Sequence, residues 1–265
     1  MNELTSLVNR YTDCRFINIG SGSNPWIGWN CFDEIEAVGI QKMHFNSNCI
    51  FPFDDASKDL VYSSHCIEHL NDDTVSRLLE ESHRVLTSSG SILIKIPDYD
   101  WFLKEYLSNS KDLMENIIRF WPSWSWSSFG VKDSSINKLS YMFCGYWNEA
   151  YGDHFSGKIN KGPESYNGPA KLSEIELREL FDNSSIREIV HYLKNECLKD
   201  SELKAFNHQN AWSFEDLCSL LSAHNFEVQY SSKDQVIAKY SNLIPDIDAM
   251  GNWSMYVEAS KSVRN

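Results

Sequence analysis

The sequence predicts an α/β fold, a mostly parallel sheet covered on both faces and interrupted by a helical insertion. Three observations predict it. In the first hundred residues, short apolar runs end in turn or polar residues and alternate with crossovers, the pattern of strands buried on both sides. One crossover, residues 72–86, carries apolar positions at three- and four-residue steps, as an amphipathic helix does. The rhythm breaks down between about 99 and 209 and returns at 213. A core built from residues 1–98 and 211–265 is therefore expected, with an inserted region over 99–210.

The elements follow in order. Arg15–Gly20 (RFINIG) reads as a β-branched strand running into the turn Gly20-Ser21-Gly22-Ser23-Asn24-Pro25. Gly28–Asp33 gives a second strand with an acidic end, Ile40–Phe45 a third, and Lys58–His65 a fourth. The helix over Asp72–Leu86 presents Val75, Leu78, Leu79, His83 and Leu86, with Asn71 or Asp72 as N-cap. Ser88-Ser89-Gly90 is expected to stop it before a fifth strand, Ser91–Pro97. Helical spacing recurs in Trp101–Phe120 and Leu172–Lys199. The final block reads as a helix over Ser213–His224 and strands over Phe226–Ser231 and Ser254–Lys261.

Composition narrows the function classes. The 265 residues include 24 Lys and Arg against 37 Asp and Glu, a formal net charge of −13. That field repels phosphate backbones and anionic lipid, and no basic cluster offsets it, so neither a nucleic acid nor a membrane is an expected partner. Seven cysteines, an odd number without a C-x-x-C pair, read as buried free thiols rather than disulfides or a metal cage. No apolar run reaches the ~18 residues of a membrane span, and the first residues lack a signal-peptide pattern. A reducing cytoplasm is the expected location. Nine Trp within a 13% aromatic content call for an explanation in an acidic chain.

A strand entering Gly-x-Gly lets backbone pass close to a ligand, and an acid ending the next strand can accept both hydroxyls of a ribose. Gly20 and Gly22 fit the first role and Asp33 the second. Asp33 lies 11 residues beyond Gly22, short of the ~20 of a dinucleotide fingerprint. The helix between the two strands should then be shortened or absent, which counts against a nicotinamide cofactor. His65-Cys66-Ile67-Glu68-His69 also fits an inverted zinc-protease pattern. No third ligand singles itself out, so no metal is expected, and Glu68 and His69 read as the start of a helix.

The series Phe16–Gly22 (FINIGSG), Gly28–Asp33 (GWNCFD), Phe51–Asp55 (FPFDD), Asp59–Leu70 (DLVYSSHCIEHL), Arg84–Gly90 (RVLTSSG) and Ile94–Asp98 (IKIPD) resembles the class I S-adenosylmethionine-dependent methyltransferases. The resemblance is to a small bacterial subgroup and covers residues 15–98. It implies a Rossmann-like sheet, mostly parallel with an antiparallel C-terminal strand, and S-adenosylmethionine as cofactor. Gly20, Ser21 and Gly22 would then approach its methionine part, Asp33 its ribose, and Asn46, with Asn48 as rival, its adenine. Ser63, Ser64 and His65 would border the sulfonium. The sequence departs from the family where Thr87-Ser88-Ser89-Gly90 stands in place of a Lys-Pro-Gly-Gly turn.

Methyl transfer asks for positioning and the removal of one proton from the acceptor. His65 is one candidate base, because histidine titrates near neutrality, and Asp98, beyond the fifth strand, is the other. Eleven aromatic residues between Phe120 and Phe155 suit a glycan or flat small-molecule acceptor. Trp124, Trp126, Tyr146, His154 and Tyr166 are the candidate contacts, and the plainer use of such rings is a subdomain core or a homodimer contact. The reading is O-methylation of a small molecule or glycan. Its rivals are an NAD-dependent sugar oxidoreductase or epimerase and a catalytically silent methyltransferase-like binding protein.

Overall fold

The computed structural model describes residues 14–22, 24–108, 135–144, 173–197, 208–250 and 253–262. The chain divides into two compact units, residues 1–96 with 214–265, and residues 97–213. Among the described residues no helix is long and apolar enough to cross a membrane.

The first unit is built on seven strands: β1 (Phe16–Ile19), β2 (Trp29–Asp33), β3 (Gln41–Lys42), β4 (Lys58–Ser64), β5 (Leu86–Pro97), β6 (Phe226–Gln229) and β7 (Ser254–Lys261). Their order across the sheet is β3-β2-β1-β4-β5-β7-β6. The pairs β2–β3, β1–β2, β1–β4 and β4–β5 are parallel, and β6–β7 is antiparallel. The central strands are buried on both faces: Ile17, Asn18 and Ile19 of β1, Trp29 to Phe32 of β2 and Leu60 to Ser63 of β4 are all inaccessible. This explains why they read as continuous runs and not as alternating ones. Buried Asn30 is accommodated because its Nδ2 donates to the carbonyls of Cys14 (3.0 Å) and Phe16 (3.1 Å).

Among the described residues no helix joins β1 to β2, in line with a helix expected to be shortened or absent. The amides of Gly20 and Ser21 both donate to the Phe32 carbonyl, at 2.9 and 3.1 Å, which folds the loop back onto the end of β2. β3 is shorter than the expected Ile40–Phe45. Its ladder ends at Lys42, and the Phe45 amide donates to Glu34 Oε1 at 2.6 Å instead of to a strand.

Helix α1 (Asp72–Val85) is capped by Asn71, whose Oδ1 accepts from the Thr74 amide at 2.9 Å. Its buried face carries Val75, Leu78, Leu79, Ser82 and Val85. The expected stop at Ser88-Ser89-Gly90 is corrected. Fully buried Leu86 already pairs with Lys58, and the next pairing is Leu60 with Ser91. Residues 87–90 therefore bulge between two fixed points inside β5.

After residue 213 come α6 (Phe214–Ala223), β6, and α7 (Lys233–Tyr240) before β7. Helix α7 was not expected from the sequence, although its signal is present. Ser232 and Gln235 form a reciprocal capping box. Val236 and Tyr240 of α7, with Ile244 and Ile247 beyond it, pack over Trp29, Cys31, Leu60, Tyr62, Leu93 and Tyr256. Burying each such side chain contributes on the order of 1.5–3 kcal/mol.

The second unit contains α2 (Tyr99–Leu107), α3 (Ser135–Cys144), α4 (Glu174–Asn183) and α5 (Ile186–Cys197). The helical spacing expected over Leu172–Lys199 is met by two helices, α4 and α5. Ser185 starts α5 by exchanging hydrogen bonds with Glu188, which accepts from the Ser185 amide at 2.8 Å. Among the described residues of this unit, Tyr99, Phe143 and Phe181 pack ring against ring, with Tyr99 to Phe143 centroids 5.1 Å apart and Phe143 to Phe181 5.0 Å apart.

Candidate functional site

Strand order reverses between β1 and β4: β2 and β3 lie beyond β1, and β5 lies beyond β4. Ligands of open α/β sheets bind at such a point, outside the carboxyl ends of the strands. A cavity of about 170 Å³ opens there, bordered by Asn18, Gly20 and Ser21 from the β1 side, by Ser64 and His65 after β4, and by Lys95 of β5. Trp26 and Tyr62 form an aromatic wall, with centroids 5.5 Å apart and planes 26° apart. Asp246, Ala249 and Met250 border it as well.

Gly20 has φ +70°, and a Cβ added there would fall on the side chain of Cys66. Glycine is thus required both by conformation and by space. Gly22 has φ +62° with open space around it. Ser21 Oγ is buried and has no hydrogen-bond partner among the described residues. An orphaned polar atom on a cavity wall suits a ligand that brings its own polar atoms, so the residues present fit the polar amino-acid end of the cofactor that the resemblance implies.

His65 adopts φ +49°, and its amide donates to the Lys95 carbonyl at 2.8 Å. Its Nε2 lies 2.9 Å from Ser254 Oγ, and that hydroxyl donates to the Met250 carbonyl at 2.7 Å. The other ring nitrogen, Nδ1, lies 3.4 Å from Glu68 Oε1, so the imidazole is held from both sides. The ring stands edge-on to Trp253, with centroids 5.1 Å apart. Burial, reinforced by Glu68, pushes the Cys66 thiol well above its ordinary pKa, so this cysteine fills space and is not a nucleophile.

Asp33, Asn46 and Ser63 are not among the residues bordering the cavity. Asp33 Oδ2 accepts the Gly22 amide at 2.9 Å and Oδ1 the Ile35 amide at 3.2 Å, which ties the acid to the glycine loop. Asn46 is exposed and accepts the Asn48 amide at 2.8 Å, an Asx turn joining the two rivals. Ser63 is 2% exposed, within β4. Asp98 belongs to the second unit, where its Oδ1 caps α2 by accepting the Trp101 amide at 2.9 Å. His65 to His69 does not form the one-turn helix of a zinc pattern, because only Ile67–His69 is helical, a single 3-10 turn. Trp124, Trp126, Tyr146, His154 and Tyr166 lie outside the described residues.

Sequence reasoning missed Lys95, Trp26, Tyr62 and Asp246. Lys95 had a signal: one charge inside the apolar run SILIKIP of a strand expected to be buried on both faces. Burial pushes its pKa down to about 8, against the pull of Asp246 and Asp248 and with a small push from Lys233. Burial raises Asp246 in turn, opposed chiefly by Lys95.

Residues 33–94 match the family model described as a methyltransferase domain. No curated protein matches the chain by sequence. Among solved structures, an S-adenosylmethionine-dependent methyltransferase from Mesorhizobium loti is 12% identical, over 98% of this chain and 97% of that one, with a TM-score of 0.38. The YcgJ protein from Bacillus subtilis is 11% identical over 98% and 97%, with a TM-score of 0.40. Phosphoethanolamine N-methyltransferase 2 from Haemonchus contortus, in complex with S-adenosyl-L-methionine, is 13% identical over 98% and 52%, with a TM-score of 0.34.

Proposed function

We propose that this chain, whose residues 33–94 match a methyltransferase-domain model, transfers the methyl group of S-adenosylmethionine to an oxygen atom of a small molecule or glycan. The observation that carries the reading is the cavity at the strand-order reversal, which is bordered by a glycine that must be glycine, by Ser21 with its unpartnered hydroxyl and by His65. S-adenosylmethionine supplies, when bound, a methyl group already activated on a sulfonium. Gly20 and Ser21 offer close backbone approach and a hydroxyl partner, and Ser64 and His65 border the reacting end. Asp33 keeps lone-pair sites for ribose hydroxyls beyond the two amides it accepts, with Asn46 toward the base. The ring-rich sequence between 120 and 155 supports an acceptor with flat faces. The free thiols, Cys31, Cys49, Cys66 and Cys218 among the buried ones, support a reducing cytoplasm.

His65 is the proposed proton acceptor, its ring oriented by Ser254 and Glu68. His65→Ala should lower turnover by ~10²-fold or more, the usual scale of general base catalysis, while affinity for S-adenosylhomocysteine stays within about threefold. An unchanged rate would retire His65 as the base. Calorimetry tests the cofactor first: heat with S-adenosylhomocysteine and none with NAD is expected. The reverse result would overturn the proposal in favour of an oxidoreductase or epimerase. Extracts incubated with methyl-labelled cofactor should then yield a labelled acceptor whose methyl survives as an ether or ester. Binding without label transfer would mark the silent version.

A further inference from the structure

Lys95 is the anomaly of the first unit. Its side chain is 1% exposed, lies between the apolar neighbours Ile94 and Ile96 of β5, and still borders the cavity. Nζ donates to the main-chain carbonyls of Asp246 at 3.5 Å, Ile247 at 3.2 Å and Ala249, and lies 5.4 Å from the centroid of the Tyr256 ring. These partners are dipoles and a ring face, and among the described residues none is a carboxylate within ion-pair distance. A buried ammonium answered only by neutral groups is costly. The contact with the Asp246 carbonyl, at the outer limit of a hydrogen bond, is the one an incoming oxygen would replace most easily.

We infer that Lys95 reads a carboxylate carried into this cavity by a ligand. The inference rests on the cofactor reading of the cavity. At about 170 Å³ the space is smaller than the ~300 Å³ of a whole small-molecule site, so it is the subsite for one end of a ligand. A chain of net charge −13 repels anions at long range, and a fixed local cation is what admits one. The carboxylate has two sources, the amino-acid end of the cofactor itself or an acidic acceptor. Among the described residues, the charged and titratable groups around Nζ are Asp246, Asp248 and Lys233, with His65, Tyr62 and Tyr256 on the surrounding walls. Burial brings the Lys95 pKa down to about 8, and a bound carboxylate favours the ammonium. Affinity for the anion should therefore hold below pH 8 and fall up to tenfold per pH unit above it.

Two matched ligand pairs test this at pH 7.0 and 9.5. Each pair differs by the carboxylate: S-adenosylhomocysteine against its decarboxylated analogue, 5′-S-(3-aminopropyl)-5′-thioadenosine, by calorimetry, and 4-fluorobenzoate against 4-fluorobenzyl alcohol by fluorine NMR. Lys95→Met should weaken the acid of one pair by tenfold or more at pH 7.0 and leave the partner that lacks the carboxylate within about twofold. The affected pair identifies the source. Lys95→Arg should keep the preference at pH 9.5, where the wild type loses it, because guanidinium stays charged. The Met variant replaces a buried charge by an apolar chain of similar length, so it is expected to melt no lower than the wild type. If it does not fold, Lys95→Gln carries the same comparison. Acid preferences unchanged in both pairs would overturn the inference. A wild type that binds neither nucleoside would sink the cofactor reading alone, and the fluorobenzoate pair would still decide Lys95.

Discussion

Gly20→Ala is expected to remove S-adenosylhomocysteine binding and to lower stability by about 2–5 kcal/mol, ~1–2 from forcing a Cβ into the left-handed region and ~1–3 from overpacking. Both costs come from geometry on one residue. Its φ is +70°, and the added methyl meets Cys66 Sγ and Cβ in a fully buried position. The two costs can be separated. Cys66→Gly clears the space without changing φ, so the double variant should recover the overpacking part and none of the conformational part, a coupling of ~1–3 kcal/mol in a double-mutant cycle. Gly22→Val supplies the contrast. Gly22 has a similar φ of +62° but nothing within 4 Å of its Cβ position. The strain then stays in the loop, the chain remains folded, and the loss appears in cofactor affinity through the Gly22 amide that holds Asp33. Urea melts and calorimetry on the four variants check the set. A Gly20→Ala protein as stable as the wild type would mean that the β1 loop is not packed against Cys66.

The central strands were legible in the sequence because parallel strands buried on both faces leave unbroken apolar runs, and the residues at their ends were legible with them. Gly20, Ser21, Ser64 and His65 all follow directly from where β1 and β4 stop, and the structure brings these four to one cavity. α1 was legible because fourteen residues give its apolar face time to repeat. α7 was not, since eight residues complete only two turns, and its capping box was the one signal available. The remaining cavity wall depends on sequence distance. Lys95 meets the carbonyl of Asp246, 151 residues away, and Tyr62 meets Trp26 through a loop whose conformation is set by the fold-back onto Phe32. No local period encodes such encounters. What the sequence did encode was the anomaly, a lysine where a buried strand should carry none. The limits of α1 and β5 were misplaced for a related reason: the register of Leu86 against Lys58 overrode the turn propensity of Ser-Ser-Gly.

Glu81→Ala should cost about 3 kcal/mol, near the low end of the ~3–5 kcal/mol for breaking a buried ion pair, because the arginines it leaves behind keep some access to water. Glu81 is 3% exposed on the buried face of α1. One carboxylate oxygen accepts the Phe51 amide at 2.8 Å and Arg84 Nη2 at 2.6 Å. The other accepts Arg84 Nε at 3.0 Å and faces Arg77 Nη2 at 3.1 Å. Arg84 in turn donates to the carbonyls of Phe51 and Phe53 and to Asp55, so one carboxylate fixes α1 to the segment that leads into β4. Glu81→Gln keeps the shape and one acceptor for the Phe51 amide and should cost less, ~1.5–3 kcal/mol for the charged hydrogen bonds lost. Burial works to raise the Glu81 pKa, but Arg84, the Phe51 amide and Arg77 outweigh it and hold the folded value below the ordinary 4.5. A depressed folded pKa means that the stabilisation is present in full above 4.5 and is lost as pH falls through the lower folded value. Urea midpoints of wild type and Glu81→Gln should therefore differ at pH 7 and converge as pH drops below about 4.5. A gap that stays constant down to pH 3 would show that Glu81 stabilises by shape alone, and that the charge on Arg84 is answered by Asp55 and the carbonyls without it.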